Sequence, residues 1–267
     1  MANDIDFKKC GHVFNEDAVL YERARPGYPD EMVNALLAHS GLAPPATVLD
    51  IGTGTGKALF PFYSRGFLVA GIDPGDSLLP IARAKFPEGQ FELTKFEDWD
   101  PKGRVFDLVI SGQAFHWVPI DVSYRKSAAV LRPGGTLALF WNNMPPQRHV
   151  HPIFSESEAV YEHYVTRHLT RHEPITPERY ESEVESGRTE FDATGFFEPC
   201  KMMRFSWERS LTTDEYFDVL NTYPNHITME VDTKRAVFAE LRDIISRHGG
   251  MVPQPYETVL YMAKRQP

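Results

Sequence analysis

The sequence predicts an α/β protein with a doubly wound, mostly parallel sheet, and three observations support this prediction. Short apolar runs alternate with helix-like segments from position 47 to position 142. The turns between them are short, which is typical of a parallel sheet covered by helices on both faces. A glycine-rich turn with the pattern D-x-G-x-G-x-G over residues 50–56 closes the first run.

The predicted elements follow in chain order. A first helix begins near Asp30, whose side chain can cap it, and ends at Gly41, a residue type that favours helix ends. Apolar runs and helical periodicity then assign the core of the chain. The predicted strands are 47–51, 68–72, 90–94, 106–111 and 136–142, and the predicted helices are 56–65, 76–86 and 121–131.

The alternation of predicted strands and helices ends after residue 142. Residues 143–190 are polar and rich in Glu and His, with apolar residues at helical spacing and no clear strand, so we predict a helical lid inserted into the fold. The later elements are predicted as strands at 200–207 and 256–263 and helices at 214–220 and 232–248.

Composition limits the partners and the compartment. A formal net charge of −9 disfavours a nucleic-acid partner, because phosphate binding needs a basic face. Cys10 and Cys200 are too few for a disulfide framework or a thiolate zinc site, which favours a reducing compartment. No apolar window suggests a signal peptide or a membrane span. We expect a soluble cytoplasmic protein without a membrane partner, and the sequence leaves the oligomeric state open.

The glycine turn predicts a site for an adenosine-containing ligand. Asp73 ends the second predicted strand, where a carboxylate can meet ribose hydroxyls. A nicotinamide dinucleotide fingerprint would place glycine or alanine at position 57, but Lys57 stands there. The turn itself holds no Arg or Lys to neutralise a diphosphate, whereas Asp50 can meet a cation. A ligand with an ammonium group fits this turn better than a dinucleotide.

Further segments extend the pattern at regular intervals: FDLVIS at 106–111, FHWV at 115–118 and LRPGGTLAL at 131–139. With the glycine turn, these segments resemble the class I S-adenosylmethionine-dependent methyltransferases. Residues 21–29 (YERARPGYP) and 113–117 (QAFHW) resemble the small-molecule branch that includes the trans-aconitate enzymes. The resemblance is strongest between positions 14 and 142.

The resemblance implies a Rossmann-like, seven-stranded, mostly parallel sheet whose last strand is antiparallel, and it implies S-adenosyl-L-methionine as the cofactor. We expect one methyltransferase domain over 1–267. Its parts are an N-terminal cover with the first helix (1–41), a cofactor-binding core (42–142), the helical lid (143–190) and C-terminal strands and helices that complete the sheet (191–267).

The predicted cofactor site follows from the turn and the resemblance. The turn glycines and Asp50 are assigned to the methionine end and Asp73 to the ribose. The backbone near Phe96 is assigned to the adenine ring, with Pro74 and Phe96 flanking it, while Glu97 is either part of this site or a cap for the next helical turn. The predicted cofactor-binding residues are Tyr21, Arg25, Asp50, Gly52, Thr53, Gly54, Thr55, Gly56, Asp73, Pro74, Phe96, Glu97, Gln113 and Ala114.

The predicted reaction site lies after the fourth strand. His116 is the candidate catalytic residue, because a neutral imidazole can take a proton from a hydroxyl, amine or thiol. The alternative is that His116 shapes the pocket or contacts the cofactor backbone. Trp117, Trp141 and Asn142 are the predicted substrate-binding residues; the two tryptophans, like Tyr21, are otherwise ordinary core aromatics.

Charged side chains outside this core leave several alternatives open. Arg23 and Arg25 can meet the methionine carboxylate or an acidic substrate, or they can simply be solvated. Arg148 and Arg171 are further candidates for a substrate carboxylate. The pair at positions 168 and 172 has the spacing of a two-histidine metal motif but lacks the glutamate that follows the first histidine, so no metal is predicted.

The predicted function is methyl transfer to an oxygen or nitrogen of a small-molecule substrate by in-line displacement. Positioning alone can supply ~7–11 kcal/mol of such a barrier. Two alternatives stay open. One is a catalytically silent cofactor-binding protein whose lid serves as a partner surface, and the other is an NAD(P)-dependent oxidoreductase.

Overall fold

A seven-stranded sheet carries the alternation of strand and helix that the sequence predicts. The structure, a computed structural model, describes residues 17–146, 151–164 and 176–267. The strands are β1 (Thr47–Ile51), β2 (Leu68–Asp73), β3 (Gln90–Leu93), β4 (Phe106–Gly112), β5 (Leu131–Asn143), β6 (Lys201–Thr212) and β7 (Met251–Lys264), arranged in the order β3-β2-β1-β4-β5-β7-β6.

The strand pairing confirms the predicted fold class. β1 pairs in parallel with β2 on one side and with β4 on the other, while β3 and β5 extend the sheet in parallel beyond them. β7 runs antiparallel to β5, from the pair Thr136 and Lys264 to the pair Asn143 and Glu257. Strand order therefore reverses between β1 and β4. In open sheets of this kind, ligands bind at that point, beyond the carboxyl ends of the strands.

Ten α-helices accompany the strands within the described residues. The α-helices are α1 (Ala18–Ala24), α2 (Asp30–Ser40), α3 (Phe60–Tyr63), α4 (Leu79–Lys85), α5 (Ile120–Val130), α6 (Pro152–Tyr164), α7 (Pro177–Ala193), α8 (Thr213–Leu220), α9 (Pro224–Ile227) and α10 (Val231–Arg247). A 3-10 turn covers Phe115–Trp117, directly after β4.

Two of the predictions about helices are wrong: the length of the helix after the glycine turn and the cap of α2. The helix expected at 56–65 is α3, only four residues long, because the chain makes successive turns through residues 54–59 before it becomes helical. Asp30 does not cap α2: Pro29 stands at the cap position without a side-chain bond, and Asp30 is the first helical residue. The Asp30 carboxylate instead pairs with Arg65 at 2.8 Å. Gly41 ends α2 with a left-handed φ of 69°, as predicted.

The chain divides into two compact units, which we call the sheet unit and the helical unit. The sheet unit comprises Pro26–Asn143, Ser182–Ser206 and Glu257–Pro267, and the helical unit comprises Met1–Arg25, Met144–Glu181 and Trp207–Tyr256. These limits do not coincide with the predicted divisions at residues 41, 142 and 190. The predicted single domain and its parts stay a prediction.

The core of the sheet unit explains why its strands read as apolar runs. Val48, Leu108 and Phe140 are fully buried on neighbouring strands, and they belong to one cluster with Leu36 of α2 and Phe86 after α4. Strands of a parallel sheet with helices on both faces have no solvent face, so apolar residues are continuous along them.

The helical unit has a core of its own. Leu241 and Ile245 of α10 are fully buried in it with Ile153 of α6 and Phe217 of α8. Thr212 caps α8 through a complete capping box with Glu215. No helix among the described residues is both long enough and apolar enough to cross a membrane.

The segment predicted as a lid is helical where it is described. α6 and α7 account for residues 152–164 and 177–193, and α7 continues past the predicted end at position 190. The second half of α7 is tied into the sheet unit, because Tyr261 Oη donates to the backbone oxygen of Val184 at 2.8 Å and Tyr124 Oη donates to Glu190 at 2.9 Å.

Candidate functional site

The glycine turn after β1 is held open by backbone conformations that favour glycine. Gly52, Gly54 and Gly56 have φ values of 72°, 52° and 80°. A Cβ atom on Gly52 would lie 2.3 Å from the Cβ of Ala114, so the turn after β4 presses directly on the turn after β1. A Cβ on Gly54 would meet nothing within 4 Å. The structure thus brings Gly52 and Ala114 together at the carboxyl edge and leaves space above Gly54.

Asp73 organises this turn from the end of β2. Its Oδ2 accepts the backbone N–H of Gly54 at 2.7 Å, and its Oδ1 accepts the backbone N–H of Gly75 at 2.7 Å. Burial raises the pKa of the Asp73 carboxyl, while the bonds from Gly75 and Gly54 oppose that shift. The carboxylate retains lone pairs beyond these two bonds. It lies where the sequence predicts an acceptor for ribose hydroxyls, and it also fixes the glycine turn.

Asp50 is a fully buried carboxylate under the same turn. Neither of its oxygens finds a hydrogen-bond partner within the described part of the chain, and the same holds for the hydroxyls of Thr53 and Thr55. Burial raises the pKa of Asp50 well above its usual value; the nearby Thr53 hydroxyl opposes the shift and the charge of Asp73 adds to it. Buried polar groups are normally satisfied. Three such groups beneath one turn suit a ligand with a cationic group.

The segment after β3 holds the predicted adenine-binding residues Phe96 and Glu97. The Phe96 ring is buried and stacks on Trp99 with centroids 6.1 Å apart, and the Lys126 ammonium lies 5.3 Å from the Phe96 centroid. Glu97 sits inside a turn, where its backbone oxygen accepts a bond from Lys126. Residues 98–114 contain no helix, so the alternative that Glu97 caps one is wrong. An adenine role for Phe96, for Glu97 and for the exposed Pro74 stays a prediction.

The turn after β4 carries a strained residue. Gln113 has a φ of 62°, which is uncommon for a residue other than glycine. Its backbone N–H donates to Phe140 O at 3.0 Å and its side-chain amide donates to Asn142 O at 3.1 Å. Strain of this kind costs about 1–3 kcal/mol and is found mainly at functional sites. The bonds to the end of β5 hold Gln113 in this conformation beside Ala114.

Tyr28 belongs to this edge, although no sequence pattern singled it out. A Cβ on Gly112 would lie 2.5 Å from Tyr28 Oη, and the Tyr28 ring packs edge-on against Phe140 with centroids 4.6 Å apart. The available signal was the YERARPGYP segment itself, in which only Tyr21 and Arg25 are predicted cofactor-binding residues.

His116 lies directly after this turn, in the 3-10 turn that follows β4. Its Nδ1 accepts the indole N–H of Trp141 at 3.3 Å, and its ring centroid is 4.8 Å from that of Trp117. The residue keeps an exposed surface, but burial of the ring beside the indoles lowers the pKa of His116. The structure thus brings the predicted catalytic residue and two predicted substrate-binding residues together.

The Asn142 side chain has a structural role at the end of β5. Its Nδ2 donates to Gly27 O at 2.9 Å, and its Oδ1 accepts the Thr258 hydroxyl at 2.6 Å. These bonds tie the segment before α2 to β5 and β7 within the sheet unit. A contact between Asn142 and substrate stays a prediction.

Tyr21 and Arg25 lie in the helical unit. Arg25 Nη2 donates to Thr222 O at 3.0 Å, and its guanidinium carbon lies 4.2 Å from the ring centroid of Tyr223 and 5.7 Å from that of Tyr21. Arg23 pairs with Asp218 at 2.8 Å. Cofactor binding by Tyr21 and Arg25 stays a prediction.

The remaining charged candidates lie outside the described residues: Arg148, His168, Arg171 and His172. Within 17–146, 151–164 and 176–267, no group of three or more His, Cys, Asp or Glu side chains is placed to hold a metal ion. Cys200 is buried as a free thiol, and burial raises its pKa to about 12.

Comparison with known proteins agrees with this geometry. The family model of a methyltransferase domain matches residues 48–135. An uncharacterised methyltransferase of Mycobacterium tuberculosis is 39% identical over 122 residues, which cover 46% of this chain and 49% of that protein. The trans-aconitate 2-methyltransferase of Variovorax paradoxus is 33% identical over 130 residues, which cover 48% of this chain and 47% of that protein. The matches span about half the length of these relatives.

Among solved structures, a candidate type II methyltransferase from Anaeromyxobacter dehalogenans superposes with a TM-score of 0.57 at 22% identity, over 90% of this chain and 96% of that one. This likeness concerns the fold, which is a Rossmann-like methyltransferase fold. The matched family model, the related sequences and the glycine turn add sequence evidence to this likeness in fold. Residues 48–135 therefore match a methyltransferase domain, and the sequence and fold resemble those of the class I S-adenosylmethionine-dependent methyltransferases.

Proposed function

We propose that this chain transfers a methyl group from S-adenosyl-L-methionine to an oxygen or nitrogen of a small molecule. One observation carries the proposal. The Asp50 carboxylate is buried, without a partner in the described chain, under a three-glycine turn whose other side is fixed by Asp73. A buried anion of this kind is costly unless a cation or hydrogen-bond donors meet it. The ammonium group of S-adenosyl-L-methionine would be such a cation.

Different residues of the sheet unit would bind different parts of the cofactor. Asp50 would hold the ammonium group, with the hydroxyls of Thr53 and Thr55 available as further partners. Asp73 would accept the ribose hydroxyls while it fixes the turn through Gly54. When bound, S-adenosyl-L-methionine supplies a methyl group on a positively charged sulfur. The task left to the protein is to hold an acceptor in line with that group, which explains why positioning can account for most of the catalysis.

A small-molecule acceptor is supported by one of the related proteins. The name of the Variovorax paradoxus relative specifies trans-aconitate, a small carboxylic acid. The aromatic side chains beside His116 would provide apolar walls for an acceptor of similar size. The expected cytoplasmic location and the expected lack of a nucleic-acid partner also stay predictions from composition.

Calorimetry with the purified full chain tests the cofactor. We expect saturable binding of S-adenosyl-L-methionine and of S-adenosylhomocysteine, with no binding of NADH. Tight binding of NADH alone would favour the oxidoreductase. The protein can also be incubated with the cofactor and a small-molecule extract, and mass spectrometry can then search for methylated products. Cofactor binding without any such product would favour the silent binding protein.

Asp73→Ala is expected to weaken binding of S-adenosyl-L-methionine by about 10- to 100-fold. The reason is that the substitution removes a charged acceptor worth about 1.5–3 kcal/mol and frees the N–H groups of Gly54 and Gly75. Asp100→Ala is the matched control, because exposed Asp100 accepts the N–H of Lys102, two residues on, at 2.9 Å. Titration calorimetry should show unchanged affinity for that variant, and an equal loss in both would contradict the assignment.

A further inference from the structure

The contact between Trp141 and His116 determines which nitrogen of the imidazole carries the proton. An indole has a donor and no acceptor, so the bond of 3.3 Å from Trp141 Nε1 uses the lone pair of His116 Nδ1. A neutral imidazole has one N–H and one lone pair. When Nδ1 is the acceptor, the single proton must lie on Nε2.

Trp141 is held in place by the sheet unit. Its ring packs edge-on against Tyr261 of the neighbouring strand β7, with centroids 5.9 Å apart. The Tyr261 hydroxyl is itself tied to Val184 O of α7. The Trp141 ring is therefore held by Tyr261 of the neighbouring strand. This contact keeps the indole N–H in position to donate to the His116 imidazole.

We propose that Trp141 is a positioning residue that fixes His116 with its proton on Nε2, so that His116 donates a hydrogen bond to the methyl acceptor and does not remove a proton from it. The inference rests on the proposed function, since it concerns the acceptor of the same site. It replaces the predicted role of His116 as a base.

Two features of the surroundings support a neutral donor. Burial beside the indoles lowers the pKa of His116, which favours the uncharged ring at neutral pH. The residue as a whole is also exposed, so the protein does not enclose it. The acceptor must then arrive already deprotonated at its nucleophilic atom, as a carboxylate or a neutral amine does, because His116 would not take the proton of a hydroxyl or thiol.

Nuclear magnetic resonance of the free protein tests the tautomer without any methyl transfer. Two-bond proton–nitrogen correlations of the nitrogen-15-labelled full chain, recorded where the ring is neutral, should show the His116 proton on Nε2 alone. Trp141→Phe should shift the signals toward the mixture of tautomers of an unconstrained histidine side chain. Trp99→Phe is the control, since the Trp99 indole donates to Glu92 at 3.0 Å and not to a histidine.

A proton on Nδ1 in the wild-type protein would overturn the proposal. The same holds for a wild-type mixture that Trp141→Phe leaves unchanged. Because these measurements need no cofactor, their failure is distinguishable from failure of the proposed function, which is measured separately by binding of S-adenosyl-L-methionine.

Activity with an identified acceptor gives the second readout. His116→Ala should lower kcat/KM by about 2- to 100-fold, the range for one hydrogen bond to a neutral or charged group. A lost base would cost about 10²–10⁴-fold. His116→Gln should restore most of the activity that His116→Ala loses, because its amide reaches the Nε2 position and donates. His116→Asn, whose amide reaches only the Nδ1 position, should not. If Gln is as inactive as Ala, the donor role of His116 is contradicted.

Discussion

Replacing Gly52 by alanine should both destabilise the protein and abolish tight binding of S-adenosyl-L-methionine. The new Cβ would lie 2.3 Å from the Ala114 Cβ, and the backbone has a φ of 72°. Left-handed backbone costs about 1–2 kcal/mol for a residue with a Cβ, and overpacking adds about 1–3 kcal/mol. We expect chemical denaturation to show a loss of about 2–5 kcal/mol in the free energy of unfolding.

Two matched glycines separate the causes of that loss. Gly103 has a φ of 76°, and a Cβ placed on it would meet nothing within 4 Å, so Gly103→Ala should cost only the backbone strain and leave cofactor affinity unchanged. Gly54 is equally open but lies in the turn, so Gly54→Ala should lose affinity with a similarly small loss of stability. A Gly52→Ala variant that binds as tightly as the wild type would contradict the cofactor site.

The sequence predicts the sheet well because its strands are bounded by strong local signals. β1 has the predicted limits, and β2 and β4 each extend one residue beyond theirs. Their apolar runs are flanked by glycine, proline or acidic residues. The helix at 56–65 is overestimated because apolar residues at helical spacing, such as Leu59 and Phe62, also fit a chain that turns before becoming helical.

The site is predictable only in its local parts. Asp50, the glycines and Asp73 lie close together along a recognisable pattern. Tyr28 was missed because its partner Gly112 is distant in sequence, and the approach depends on how the segment before α2 crosses the sheet. The bond between Trp141 and His116 likewise depends on the adjacency of β4 and β5, which no local spacing reveals.

Asp50→Asn should separate stability from binding. In the free protein at a pH above the folded pKa of Asp50, the variant removes a buried charge that has no partner among the described residues, so we expect the free energy of unfolding to rise by about 1–3 kcal/mol. Binding should weaken by about 10- to 100-fold, because the bond from the ammonium group loses its charge. Denaturation without ligand and calorimetry with it measure the two effects on the same samples.

Asp107→Asn is the control at the opposite edge of the sheet. Asp107 accepts the backbone N–H of Thr47 at 2.6 Å and its hydroxyl at 2.8 Å, and it pairs with Arg132 at 2.7 Å. Its neutralisation should therefore lower stability, the reverse of the effect at Asp50, and leave cofactor affinity unchanged. A loss of stability in both variants would show that the Asp50 carboxylate is satisfied in the folded protein.

The pH dependence gives an independent check on Asp50. Because its pKa is raised by burial in the folded protein, the folded state holds this proton at pH values where the unfolded chain has released it. The contribution of the Asp50 proton to the free energy of unfolding is thus fully favourable below the unfolded-state pKa and is lost as pH rises through the folded-state pKa. Between these two pKa values, the free energy of unfolding of the wild type should fall relative to that of Asp50→Asn. Above the folded-state pKa, the difference between the two proteins should stay constant. A difference that grows in favour of the wild type as pH rises would mean that the carboxylate is stabilised without ligand, and the cation site beneath the glycine turn would lose its physical basis.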